Sequence, residues 1–152
     1  MARGMPFIGT RKKLAVAAAA AGLVLAFSGQ AQAADYEKST ADGCASVVGA
    51  YDYQRVGTAG GYPLYNTSWD FKIWDNCSDG RGAGLFTTYQ KWESGEWKYH
   101  SLTKLGSDTN GFNNTPGYAK DGRGYNVRDV GLYVCFIEAG GYANWNSCRG
   151  LL

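Results

Sequence analysis

The stretch Ser68 to Trp92, SWDFKIWDNCSDGRGAGLFTTYQKW, constrains the fold more than any other. Trp69, Phe71 and Ile73 alternate with Asp70 and Lys72, the period-2 pattern of a strand with one buried face. Asp75 to Gly82 follows, dense in turn-forming residues. Asp and Asn side chains bond their own backbone there, and Gly accepts positive φ. The chain resumes as Leu85-Phe86-Thr87-Thr88-Tyr89, rich in β-branched and aromatic residues. A strand, a turn and a strand are thus expected, with Cys77 in the turn tying the pair to another segment.

The rest of the chain agrees. No segment has helical periodicity over ten or more residues. Turn signals recur between short candidate strands, which argues for an all-β sandwich or barrel. The expectation is a compact antiparallel fold of six to seven short strands. Ala45–Tyr53 reads as a strand or one broken at Gly49, with a short helical turn after Cys44 as the competing reading. Residues 55–65, with Gly57, Gly60, Gly61 and Pro63, read as a loop. Trp92 to Trp97 is a tight turn, followed by an alternating strand to Leu105 with Trp97, Tyr99, Ser101, Thr103 and Leu105 on one face. Gly106–Gly117 is a long polar loop, either functional or mobile. Val127–Glu138 is the most apolar stretch of the mature chain and reads as a central strand, and Tyr142–Cys148 closes the fold.

The first 33 residues read as a signal peptide. Arg3, Arg11, Lys12 and Lys13 form a positive region, Leu14–Phe27 an apolar one, and Ala31-Gln32-Ala33 a small-x-small cleavage site. The apolar run is shorter than the roughly 18–20 residues of a spanning helix. Cleavage after Ala33 leaves one domain, residues 44–152, preceded by a loosely held arm, residues 34–43. The charge changes with it. Four of the 15 Lys+Arg precede Ala33 and none of the 13 Asp+Glu does, so the exported chain carries 11 basic and 13 acidic residues, a net charge of −2. No positive run remains to track a phosphate backbone, which speaks against nucleic acid as a partner.

Cys44, Cys77, Cys135 and Cys148 all lie in the exported part. An even count in a small exported chain indicates two disulfides. Cys135 ends a strong strand and Cys148 follows the Gly140-Gly141 turn, so an antiparallel return brings them together. Cys44 and Cys77 then pair by elimination. Zinc would need close cysteine pairs and histidines, and the one histidine is His100.

No catalytic constellation stands out. A triad would have to use His100, in an alternating strand, and no G-x-S-x-G elbow is present. Glu93 and Glu96 fit a turn better than a glycosidase cleft. Asp75 and Asp79 suggest calcium, yet the EF-hand pattern breaks at Cys77 and Phe86. Aromatics are the better lead, at 14% of the chain. Trp92, Trp97 and Tyr99 surround one polar turn and could form a platform for a sugar face or a protein.

The Ala-rich leader, the DNCSDGRGAGL hairpin and the late strand DVGLYVC with a cysteine near the end give the chain a resemblance. It is similar to small exported proteins of unknown function found in Streptomyces-type actinomycetes. The resemblance implies a compact extracellular β-sandwich and supplies no catalytic residue. The expectation is a secreted, monomeric, non-enzymatic binding protein without cofactor, free of the membrane once cleaved. Its partner would be an extracellular polysaccharide or a secreted protein. The alternative is an inhibitor of an extracellular hydrolase presenting the Gly106–Gly117 loop. An enzyme is the third reading.

Overall fold

A computed structural model describes residues 32–152; the leader expected over residues 1–33 lies outside them except for Gln32 and Ala33, which open β1. Seven antiparallel strands form one sheet: β1 (Gln32–Ser39), β2 (Ala45–Ala59), β3 (Tyr62–Asp75), β4 (Gly82–Glu93), β5 (Glu96–Asp108), β6 (Gly117–Ile137) and β7 (Ala143–Gly150). The order is β1-β2-β3-β6-β4-β5, with β7 on β6. The all-β antiparallel expectation holds, but the strands are longer than the glycine content suggested.

The loop expected over 55–65 turns out to be a hairpin, and the tight turn expected at Trp92–Trp97 is one as well. Gly60 and Gly61 have φ of 54° and 81°, and Ser94 and Gly95 have 53° and 87°. Two consecutive left-handed residues are what a two-residue hairpin turn with native strand twist requires. Residues 55–65 are therefore mostly strand. Gly49 does not break β2. A Cβ there would lie 2.1 Å from the Asp70 carbonyl oxygen, so glycine lets β2 and β3 approach.

The arm expected over 34–43 is instead β1 as far as Ser39, paired with Ser46–Tyr53 of β2. Polar residues misled the reading: one side of this edge strand is wet, while Tyr36 on the other packs against the core. Thr40 then turns the chain, its hydroxyl bonding Asp42 and accepting from the Ala45 N–H.

The 21-residue β6 organises the rest. Its first half pairs with β3, from Gly117 opposite Ile73 to Val127 opposite Tyr65. Its second half pairs with β4, from Val127 opposite Lys91 to Ile137 opposite Gly82. Both ends reach the same end of the molecule. Gly117 packs on Ser107 and Asp108, Gly82 packs on Thr109, and Gly84 packs on Ile137. The strand therefore bends sharply midway and carries the sheet from one layer into the other. Three positive-φ residues, Asp121, Asn126 and Asp129, mark the register shifts that allow it.

The main core fills the space between the layers. Val47, Phe71, Ile73, Leu85, Leu132 and Val134 are fully buried within it. β4 is covered on both faces. Leu85 faces the main core, whereas Phe86 joins Cys135 and Ile137 in a second cluster against Cys148. The disulfides are Cys44–Cys77 and Cys135–Cys148, as the strand pattern indicated.

Candidate functional site

The inner row of β3 changes character along its length. Ile73 and Phe71 are closed core; Trp69 and Thr67 follow on the same face. β4 does the same, passing from Ala83 and Leu85 to Thr87, Tyr89 and Lys91. These second halves do not close on each other. They enclose a cavity of about 330 Å³ between the layers. β6 completes its wall with Val127, Val130 and Leu132, and β5 adds Leu105.

The cavity has a floor and a rim. Leu132, Val127, Thr87 and Thr67 are buried, while Thr103, Arg123 and Tyr125 are exposed. The rim lies where β5 and β6 part, since their one bridge is Ser107 opposite Tyr118. Trp69 can lie against β6 because residue 122 is glycine. A Cβ at Gly122 would fall 1.8 Å from the Trp69 Nε1.

One of the two floor hydroxyls is already engaged. Thr87 Oγ1 donates to the Gly131 carbonyl at 3.0 Å. Thr67 borders Tyr51, whose phenol pKa burial pushes far above the ordinary range. At the rim, Lys91 Nζ meets Glu93 Oε1 at 3.0 Å, and that bond raises the lysine and lowers the carboxyl.

The expected platform is distributed differently. Trp92 and Trp97 are cross-strand partners, half-buried and edge-to-face with centroids 5.3 Å apart. They sit beneath the β2–β3 turn, where a Cβ on Gly60 would come within 2.8 Å of Trp92. The Arg128 guanidinium lies between Trp97 and Tyr62, 4.4 Å and 3.9 Å from their ring centres, and donates to Gln90. The two tryptophans thus clamp one hairpin to another. Tyr99 is 64% exposed and is not part of that clamp.

The other candidates are also placed. His100 stacks on Tyr89 with centroids 4.7 Å apart and has Nε2 3.9 Å from Glu93 Oε1. Glu93 and Glu96 bracket the turn, paired with Lys91 and Lys98. Asp75 is buried and accepts the Cys77 N–H, while Asp79 is turned to Arg81. Among the described residues no group of three or more His, Cys, Asp or Glu side chains is arranged to hold a metal ion.

Sequence reading missed Trp69, Tyr89 and Tyr125 as a group. A signal was present: inner positions of β3 and β4 switch from Phe, Ile and Leu to Thr, as a row does when it leaves a dry core. The chain matches no protein-family model, and comparison with curated proteins and with solved structures finds no match.

Proposed function

We propose that this is a secreted, non-enzymatic binding protein that holds a small ligand in the cavity between its layers. The observation that carries the reading is the cavity itself, lined by Trp69, Tyr89 and Tyr125 beside the fully buried Phe71, Ile73, Leu85 and Val134. Its volume falls at the lower end of the roughly 300–1,000 Å³ usual for ligand sites, and its lining is mostly apolar with a few polar groups. Two disulfides fit an oxidising compartment. Among the described residues, no helix is long and apolar enough to cross a membrane.

The test is retention on chitin, cellulose and peptidoglycan together with calorimetric titration of soluble ligands. Trp69→Ala should weaken any binding about tenfold or more, as loss of a central aromatic anchor does. Trp97→Ala should instead lower stability. Glycan retention lost with Tyr99→Ala and untouched by Trp69→Ala would restore the surface-platform reading and sink the cavity.

The inhibitor reading keeps one observation. Residues 109–116 form a loop rooted by Asp108, which is 2% exposed and accepts the Asn110 N–H, while Phe112 on the loop is 62% exposed. A rooted loop offering an apolar side chain suits insertion into an enzyme cleft. Near-stoichiometric inhibition in a panel of secreted proteases and amylases, lost with Phe112→Ala, would favour it.

A further inference from the structure

Resting on the cavity reading, we infer that the ligand is a small amphipathic carboxylate, with its apolar body on the floor and its charged head at the rim. Size comes first. At the roughly 30 Å³ a water molecule occupies in the liquid, about 330 Å³ accommodates about ten non-hydrogen atoms. A single-chain or single-ring molecule fits.

The floor decides what the body is. Leu105, Val127, Val130 and Leu132 offer no hydrogen bond. Of the two buried hydroxyls, that of Thr87 is committed to the Gly131 carbonyl, which leaves only that of Thr67. A sugar placed there would lose its hydration and find few partners, at a cost for each unpaired hydroxyl. An apolar chain or ring loses nothing, and stacks on Trp69 and Tyr89.

The rim decides the head. The charged residues lining the cavity are Lys91 and Arg123, both cationic, and no carboxylate lines it. Lys91 already has Glu93 at 3.0 Å. Arg123 forms no ion pair with another described residue. Asp52, Asp70 and Asp121 border a separate hollow beyond Arg123, and their field is the competitor that a ligand carboxylate must outweigh. A guanidinium without a fixed partner matches a carboxylate in shape as well as charge.

The test is calorimetric titration of the purified protein with octanoate, octanol and octylammonium, with amide chemical shifts of Thr87 and Gly124 reporting the site. Octanoate should bind about tenfold tighter than octanol or better, and octylammonium more weakly than both. Arg123→Gln, at an exposed position, should fold normally by its melting curve. Combined with Lys91→Gln, it should erase the preference, octanoate then binding no tighter than octanol. Equal binding of octanoate and octanol, both weakened by Trp69→Ala, would overturn the carboxylate assignment while leaving the cavity as the site. A preference for octanoate that survives the double variant overturns the role given to these two cations. No saturable binding of any of the three probes overturns the ligand class, and the glycan assay with Trp69→Ala then judges the cavity separately.

Discussion

Single atoms decide two properties of this protein. Gly122 is the only residue type that leaves room for the Trp69 indole, so Gly122→Ala must push the ring into the cavity or distort β6. Overpacking of this kind costs about 1–3 kcal/mol. The variant should show that loss in urea denaturation and should lose ligand binding with it; a fully stable variant would mean that Trp69 has slack. Asp75 sets a pH dependence. Burial, with help from Asp108 and Asp79, holds its carboxyl above the ordinary 3.8. The folded state therefore binds this proton more tightly than the unfolded chain does. Its contribution to stability falls as pH rises through the window from 3.8 up to the raised value, and stays low at neutral pH. Asp75→Asn keeps an acceptor for the Cys77 N–H and removes the charge. It should be more stable than the parent at pH 7, with an advantage that shrinks as pH falls through the carboxylate range. Asp42, Asp79 and Glu93 have lowered values and act in the opposite direction, but both proteins share them. Equal stability of variant and parent at all pH values would show that burial of Asp75 is compensated.

At the scale of elements, each disulfide closes a different problem. Cys44–Cys77 joins the start of β2 to the loop after β3, across 33 residues; Cys135–Cys148 pins β7 to β6 across 13. The chain-entropy relation gives about 3–4 kcal/mol for the first and about 3 kcal/mol for the second. Replacing either pair by serines should lower the denaturation free energy by such amounts, and peptide mapping without reduction should recover both linked peptides. Deleting residues through Ser39 should also destabilise, by about 1 kcal/mol or more, because the half-buried Tyr36 no longer packs against the core. An unchanged melting curve would return β1 to the status of an arm. Much of this level was legible in sequence. Trp69, Phe71 and Ile73 do face inward by alternation, Ser94-Gly95 is a turn, and the cysteines pair as their strands suggest. What was not legible came from residues acting at a distance. Gly49 reads as a breaker until Phe71 is placed opposite it, and Asp35 and Glu37 hide an edge strand whose inward residue is Tyr36. The cavity draws on four strands brought together by the bend in β6. That bend depends on Asp121, Asn126 and Asp129 adopting positive φ, which turn chemistry permits but does not announce.

The whole molecule is held by one late strand. β3 and β4 each find a ladder partner in β6, and the main core takes Ala119, Leu132, Val134 and Phe136 from it. Everything before Gly117 can form a β1–β2–β3 meander and a β4–β5 hairpin, whose apolar faces lack the β6 residues that complete the core. Isolated hairpins are marginal in water. A chain ending at Pro116 should therefore show little cooperative unfolding by circular dichroism; a sharp transition would mean that the meander and the hairpin already share a core. For a chain that emerges from its amino terminus, order of synthesis then becomes a hazard. Through most of its emergence the protein presents apolar, unpaired strand edges of the kind that join neighbouring copies into aggregates. The productive step must wait for long-range pairing, which is slow because distant segments have to meet before any contact rewards them. The bend that opens a cavity in the finished molecule thus makes its birth slow, and yield on expression should track how quickly the stretch from Gly117 onward is delivered.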